Sequence, residues 1–232
     1  MQKLDEVVAR CVASAYAMNI SLEQLAPPEF LSAERTAVKG FKHKYMKFEI
    51  PFQRKAAEVG LLSLDTSEPL NVLDLGAGGG HFCRILNELG HSATALTQAQ
   101  PPMFVKLCDL LGVDVIAAKL GAKSPIPITK RYQLVTASRI TFNRTANRVW
   151  SKAEWTAFLD HLEQDILVPG GGLFLSFNII GKQIDEAEEP SATAHREIDV
   201  IMKERGLRAL TFGIYVSKNW PIDLSYLPRV DR

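Results

Sequence analysis

The stretch 72–82 reads VLDLGAGGGHF, an apolar strand that runs into a glycine-rich loop and then opens a helix. Glycine tolerates a positive φ and, having no Cβ, lets the main chain come close to a ligand. In α/β proteins the turn after the first strand is where nucleotides bind, against the N-terminus of the following helix. This stretch therefore predicts both the fold class and the place of the binding site.

The spacing of the glycines argues against a dinucleotide ligand. Dinucleotide-binding loops read Gly-x-Gly-x-x-Gly and hold the pyrophosphate at the helix N-terminus. Here residues 76–81 read GAGGGH, so His81 stands where the third glycine of that pattern would be. A large side chain there would obstruct the close helix–strand packing that this glycine serves. The loop favours a ligand without a diphosphate.

Short apolar runs alternate with helical patterns in the rest of the chain, which is typical of a doubly wound parallel sheet. Strands are predicted over 71–75, 92–97, 113–117, 132–138, 173–178 and 207–216. Helices are predicted from about 79 to 89, from 102 to 111, from 152 to before Pro169, and from about 191 to 205. Ser151 and Glu154 form a capping-box pattern at the start of the third of these helices. We expect a three-layer α/β/α fold with helices on both faces of a mostly parallel sheet.

Residues 1–62 read as helical, with breaks at Asn19 and at Pro27-Pro28. They are too few to form a domain of their own, so we expect a helical cap or lid that packs over the sheet's edge or its site. Residues 63–232 are expected to form one compact Rossmann-like unit.

The composition is that of an ordinary globular protein, with 232 residues, 47% apolar and 23% charged. The three cysteines lie far apart and form no Cys-x-x-Cys pair, so no metal site is expected and a reducing, cytoplasmic compartment is the default. No signal peptide is expected, and the longest apolar run, 170–180, is too short to cross a membrane. The net charge of +1 gives no overall field that attracts nucleic acid. Locally, residues 35–55 carry seven lysines and arginines opposed by Glu49.

The stretch 72–80 resembles the first motif of the class I S-adenosylmethionine-dependent methyltransferases. The resemblance extends over roughly 71–177 and includes the fourth-strand sequence YQLV at 132–135 and LVPGG at 167–171. It implies a seven-stranded type of sheet, S-adenosylmethionine as cofactor, and a loop at 76–80 that lies against the methionyl and ribose groups. The cofactor-binding residues it implies are Asp74, Leu75, Gly76, Ala77, Gly78, Gly80, Thr97, Gln98, Lys119 and Ser138. Asp74 is expected to order the loop and the cofactor's amino group, or only to brace the loop.

One position departs from the family pattern. The family places an acid at the end of the second strand, where a carboxylate accepts both ribose hydroxyls, but residues 95–98 here read ALTQ. A hydrogen bond to a charged group is worth about 1.5–3 kcal/mol, so Thr97 or Gln98 in its place is expected to weaken ribose binding by tenfold or more. The family's adenine contact falls near Lys119, again without an acid, and Ser138 borders both cofactor and acceptor.

The methyl acceptor is expected at the carboxyl ends of the strands. Candidate substrate-binding residues are Tyr45, Arg139, Phe142, Asn143 and Asn178. Arg139 could clamp an acidic acceptor or pair with a surface carboxylate, and Tyr45 could close over the cofactor or serve in helix packing.

No acid–base pair is obvious, and positioning alone can supply about 7–11 kcal/mol of the barrier. The catalytic candidates are His195 and Arg139. His81 and His161 are further conceivable bases, although none of these histidines has a carboxylate partner visible in the sequence.

The leading hypothesis is a methyltransferase acting on a small molecule. A second is a degenerate binding module that keeps the fold without productive cofactor binding, which the Thr97 departure favours. A third is an RNA-modifying enzyme that uses the basic stretch 35–55, and a nicotinamide oxidoreductase comes last. The sequence lacks the Asn-Pro-Pro-Tyr and Pro-Cys motifs of base-flipping methyltransferases. The family ends in an antiparallel hairpin, but little chain follows residue 216, so the C-terminal arrangement stays open.

Overall fold

The computed structural model describes residues 2–140, 150–177, 190–211 and 213–227. The strands are β1 (Asn71–Leu75), β2 (Ser92–Thr97), β3 (Asp114–Ala117), β4 (Tyr132–Ile140), β5 (Leu167–Phe177), β6 (Leu207–Thr211) and β7 (Ile214–Ser217). In this part of the chain they form one seven-stranded sheet in the order β3-β2-β1-β4-β5-β7-β6. Strands β1 to β5 are parallel, and β7 runs antiparallel to both β5 and β6. The doubly wound, mostly parallel sheet predicted from the sequence is confirmed.

The helices are α1 (Gln2–Ala17), α2 (Leu22–Leu25), α3 (Pro28–Ala33), α4 (Arg35–Tyr45), α5 (Glu49–Leu61), α6 (His81–Glu88), α7 (Met103–Leu110), α8 (Lys152–His161) and α9 (Pro190–Glu204). The capping box that begins α8 is confirmed, because the amide of Ser151 donates to Glu154 Oε2 at 2.9 Å and Ser151 Oγ accepts from the amide of Glu154. Gly90, Gly112 and Gly206 follow helices at φ +98°, +66° and +74°, a conformation that favours glycine at a helix C-terminus.

Successive side chains of each strand point to opposite faces of the sheet, and helices pack against both faces. On β1, Val72 faces the core made with α1, α5, α6 and α7, whereas Leu73 and Leu75 face the core made with α8 and α9. Asp74 shares the face of Val72 and therefore points toward α5 and α6. The expected three-layer arrangement is confirmed, and it decides which helices can contribute side chains to the end of β1.

The N-terminal helices pack on that first face. Helix α1 contributes Leu4 and Val7 to the core, and α5 contributes Phe52 and Val59. Helix α4 is different, because Phe41 is its one fully buried side chain among otherwise partly or fully exposed positions. The expected breaks also occur, since α1 ends before Asn19, which has φ +47°, and α3 begins at Pro28.

The single last strand predicted over 207–216 is wrong. The chain turns at Gly213, which has φ +78°, and returns as β7 antiparallel to β6. The turn inserts β7 between β5 and β6, so that Tyr215 and Val216 are buried while β6 takes the exposed edge. The antiparallel hairpin expected from the resemblance is thus formed by β6 and β7.

The segment after β7 packs back onto β5 and α5. The Trp220 ring lies over Gly172, where a Cβ would come within 2.1 Å of the ring, and its Nε1 donates to the carbonyl of Leu62 at 3.3 Å. The amide of Asp223 donates to the carbonyl of Leu61 at 2.9 Å. These contacts hold the C-terminal end of α5 against the sheet. Among the helices described, none is long and apolar enough to cross a membrane.

Candidate functional site

A cavity of about 420 Å³ opens at the carboxyl ends of β1, β2 and β4, beneath the end of α4. Its lining combines the glycine loop, residues at or just after the ends of β2, β3 and β4, and residues of the N-terminal helices. The lining residues are Lys44, Tyr45, Lys55, Gly76, Ala77, Gly78, Thr97, Gln98, Phe104, Ala118, Lys119, Leu120, Ser138, Arg139 and Ile140. The sheet edge and the loop predicted from the sequence therefore meet at one hollow, which is not filled by side chains.

The glycine loop is bent back over β2. The amides of Gly76 and Ala77 both donate to the carbonyl of Leu96, at 2.8 and 3.1 Å. Gly78 has φ +57°, and a Cβ there would lie 2.8 Å from Cε1 of the Tyr45 ring. Position 78 requires glycine for both its backbone conformation and the approach of Tyr45.

Asp74 lies behind the loop rather than on the cavity wall. It is 1% exposed and pairs in register with Thr136 of β4, whose Oγ1 donates to Asp74 Oδ1 at 2.8 Å. The other oxygen, Oδ2, is buried and has no hydrogen-bond partner among the described residues. Burial raises the pKa of Asp74 to about 6, against the opposing effects of Lys55 and Thr136. An unsatisfied buried carboxylate oxygen is costly, so it marks a place where a ligand's donor would be favoured.

A polar cluster joins α5 to the end of β4. Lys55 Nζ lies 2.7 Å from Glu58 Oε2, and Ser138 Oγ donates to the same oxygen at 2.7 Å. Burial disfavours the charged lysine, but the nearby carboxylates of Glu58 and Asp74 outweigh it and raise the pKa of Lys55. Lys55 is therefore an ammonium group held at the cavity wall, close to the face of Asp74.

His81 connects the loop to the N-terminal helices. Its side chain is 3% exposed and packs against the rings of Tyr45, Phe48 and Phe52. Its Nε2 donates to the carbonyl of Tyr45 at 3.0 Å. Burial lowers the pKa of His81 to about 3, so the ring is neutral and has a structural role. The side chain that stands in place of a third glycine thus fills the space between α6 and the cap.

The structure brings nine of the predicted site residues to the cavity: Tyr45, Gly76, Ala77, Gly78, Thr97, Gln98, Lys119, Ser138 and Arg139. Asp74, Leu75 and Gly80 do not line it. The candidates Phe142, Asn143 and Asn178 lie outside the described residues, and so does the side chain of His195, which belongs to α9.

His161 has a structural role. Its Nε2 accepts from the amide of Ile126 at 3.0 Å, and its Nδ1 lies 2.8 Å from Asp165 Oδ2. The expectation that no histidine has a carboxylate partner is therefore wrong for His161, whose partner lies four residues later on the same helical stretch. His161 does not line the cavity.

Arg139 adopts a conformation that is uncommon for a residue with a side chain. It has φ +51°, at the end of β4, where the pairing with β5 shifts register. Conformations of this kind cost about 1–3 kcal/mol and concentrate at functional sites. The turn directs an exposed guanidinium-bearing residue to the cavity wall.

Lys55, Glu58 and Phe104 belong to the site but were not among its predicted residues. Lys55 was counted within the basic stretch 35–55, and nothing in its spacing separates it from the exposed lysines of α4. Its placement depends on how α5 packs against the sheet. In the part of the chain that the structure describes, no group of acidic, histidine or cysteine side chains could hold a metal ion.

Comparisons with known proteins give structural matches alone, since no family model and no curated protein matches the sequence. The CcbJ methyltransferase from Streptomyces caelestis is 22% identical over 53% of this chain, with a TM-score of 0.40. The alignment covers 49% of that protein, so this chain spans about half its length.

Two further matches are DesVI and CalS10. DesVI from Streptomyces venezuelae is 14% identical, with 71% of this chain and 90% of that chain covered and a TM-score of 0.48. CalS10, an amino pentose methyltransferase from Micromonospora echinaspora whose structure holds S-adenosylmethionine, is 20% identical, with 60% and 53% covered and a TM-score of 0.42.

Proposed function

We propose that this chain is an S-adenosylmethionine-dependent methyltransferase that acts on a small-molecule acceptor. Two groups near the glycine loop carry the proposal. One is the carboxylate oxygen Asp74 Oδ2, which has no hydrogen-bond partner among the described residues, and the other is the ammonium group of Lys55. The methionyl end of the cofactor is a zwitterion and needs one partner of each sign. A dinucleotide would need neither, and His81 takes the glycine position that its pyrophosphate loop requires.

The residues present fit the methionyl group. Asp74, buried behind the glycine loop, would supply the negative charge that favours the ammonium, and Lys55, on the cavity wall, would hold the carboxylate from the α5 side. Glu58 fixes Lys55 in place, because its Oε2 pairs with the Lys55 ammonium and also accepts a hydrogen bond from Ser138 Oγ. A half-buried ion pair of this kind needs its supporting hydrogen bonds to be stabilising.

The residues present also fit the adenosine group. Thr97 ends β2 and Gln98 follows it, where the ribose hydroxyls would lie. The side-chain carbonyl oxygen of Gln98 would accept from one of these hydroxyls. Phe104, Ala118 and Leu120 provide apolar surface for the adenine. With no acid at this position among the described lining residues, affinity would come more from packing than from charge.

When bound, S-adenosylmethionine supplies a methyl group that is activated by the sulfonium. A lone pair of the acceptor would form the new bond to this methyl carbon, while the electrons of the carbon–sulfur bond would stay on sulfur. The chain's own part is to hold and orient. Ser138 and Arg139 place the acceptor at the end of β4, and Tyr45 covers the loop from above and reduces the access of water. Alignment of this kind can account for much of the rate.

The test is calorimetric titration with S-adenosylhomocysteine and with 5′-methylthioadenosine, which lacks the amino-acid group. Lys55→Gln should weaken binding of S-adenosylhomocysteine by roughly tenfold to a hundredfold and leave 5′-methylthioadenosine unchanged, because a charged hydrogen bond is lost. The matched control is Lys106→Gln, which changes an exposed lysine on α7 that does not line the cavity. If folded wild-type protein gives no saturable heat with S-adenosylhomocysteine, the proposal fails and the degenerate binding module takes its place.

A second candidate, the RNA-modifying enzyme, is favoured by one observation. The exposed residues of α4 include Arg35, Lys39, Lys42 and Lys44 and no acid. Affinity for RNA that falls steeply with salt would support it, since phosphate contacts release counterions. A flat salt response would remove it.

A further inference from the structure

The charges on the cavity wall are of one sign. Four cationic side chains, Lys44, Lys55, Lys119 and Arg139, are among the described lining residues, and no carboxylate is. The chain as a whole has a net charge of +1, so this is a local concentration and not a consequence of composition. A surface of one charge inside a concave site attracts and orients ligands of the opposite charge.

Most of these positive charges have no negatively charged partner on the cofactor. Lys55 is neutralised by Glu58 and is assigned to the methionyl carboxylate. Adenosine carries no negative charge, and the sulfonium adds a positive one. Lys44, Lys119 and Arg139 therefore have no counterpart on the cofactor.

Two of these residues stand where an acceptor would enter. Arg139 lies near the end of β4 next to Ser138, and it lines the same cavity as Lys55. Like charges placed together are unfavourable unless an anion lies between them or beside them. Lys44 lies at the end of α4, with its ammonium 5.2 Å from the centre of the Tyr45 ring.

We infer that the methyl acceptor carries an anionic group, a carboxylate or a phosphate, which Arg139 and Lys44 bind at the mouth of the cavity. The inference rests on the proposed function and adds to it the substrate class. A small anionic molecule is favoured over RNA because these cations line one hollow of about 420 Å³, whose glycine loop Tyr45 contacts. The same charges disfavour an acceptor with a positively charged group near its methylation site.

The helix α4 offers a matched pair of variants. Both lysines are exposed, but Lys44 lines the cavity and Lys42, two residues earlier, does not line it. Positions two apart on a helix point to different sides. Lys44→Gln and Lys42→Gln remove the same charge from the same helix and differ in whether that charge faces the site.

The experiment is calorimetric titration of the full chain with inorganic phosphate, pyrophosphate and succinate, with and without saturating S-adenosylhomocysteine. We expect saturable binding of at least one anion, weakened roughly fivefold to tenfold by Arg139→Gln and by Lys44→Gln but not by Lys42→Gln. Arg139→Lys should retain most of the affinity, because it keeps the charge. S-adenosylhomocysteine should bind equally well to all four variants.

Several results would overturn the inference: no saturable anion binding, or equal losses in the Lys42 and Lys44 variants. A short RNA oligonucleotide serves as the further arm, and binding to it that Lys42→Gln weakens as much as Lys44→Gln would assign the charge to an RNA surface instead. Failure of S-adenosylhomocysteine to bind, with anion binding intact and sensitive to Arg139, would overturn the proposed function while leaving the anion site in place.

Discussion

The carbonyl oxygen of Tyr45 accepts a hydrogen bond from Nε2 of His81 at 3.0 Å, across 36 positions of the sequence. Tyr45 is the last residue of α4, and His81 is the first residue of α6, directly after the glycine loop. The same Tyr45 places its ring against Gly78. One residue of the N-terminal helices therefore contacts both the loop and the helix that the loop opens.

This contact makes the attachment of the N-terminal helices sensitive to acid. Burial lowers the pKa of His81 to about 3 from its ordinary 6.5, so the folded protein holds a neutral ring while the unfolded chain takes up a proton below pH 6.5. The contribution of His81 is fully present above pH 6.5 and decreases as the pH falls below it. Between pH 6.5 and 5 the loss should be about 2 kcal/mol relative to a variant without a titrating group.

His81→Phe is that variant, since it keeps a ring and removes both the donor and the titration. At pH 7.5 it should be less stable by about 1 kcal/mol, because the Tyr45 carbonyl loses its donor. Chemical denaturation at pH 7.5, 6.5 and 5 measures both effects, and subtracting the variant's values isolates His81 from other titrating groups. His43→Gln removes an exposed histidine from α4 and is the matched control for the loss of an imidazole. Parallel pH profiles for wild type and His81→Phe would contradict the assignment.

Asp74→Asn should stabilise the protein at neutral pH and weaken cofactor binding. The pKa of Asp74 is raised to about 6 by burial, so the folded state favours the protonated carboxyl and loses stability as the pH rises from 3.8 through 6. Asparagine removes that loss. We expect an increase in Tm of about 2–4 °C at pH 7.5, corresponding to roughly 1 kcal/mol, and a smaller one at pH 5.

The same variant should bind S-adenosylhomocysteine about tenfold or more weakly, because the charged partner of the amino group is lost. Scanning calorimetry at both pH values and titration at pH 7.5 provide the two readouts. Asp109→Asn, an exposed site on α7, serves as the control. A gain in stability with unchanged affinity would assign Asp74 to bracing the loop alone.

Gln98→Glu should restore the acid that the ribose position lacks. Gln98 is exposed and lines the cavity directly after β2, whereas Thr97 is buried, so the change adds a carboxylate without burying it in the core. Charge-assisted hydrogen bonds exceed neutral ones by about 1 kcal/mol or more, so S-adenosylhomocysteine should bind roughly tenfold more tightly. Titration of the variant beside Gln53→Glu, an exposed position on α5 that does not line the cavity, measures the difference. Equal affinities would mean that the ribose does not reach Gln98.

Local sequence determined much of the fold. Apolar runs of fixed length, glycines after helices and the Ser151 capping box act within a few residues, so β1 to β4 and the helices between them could be placed without tertiary information. The hairpin of β6 and β7 could not, because an apolar run with one internal glycine is compatible with a bent strand or with a turn. Which of the two forms depends on whether β5 offers an edge for β7 to pair with.

The sequence by itself determined the glycine loop and the edge of the sheet where the site lies, since both follow from backbone conformation along one short segment. The tertiary structure alone decided which charges face that site. Lys44 and Lys55 read as two members of one basic stretch, and Lys42 reads no differently from Lys44. Their distinct roles arise from the way α4 and α5 pack against the sheet, because side chains far apart in the chain share an electrostatic environment after folding has brought their helices together.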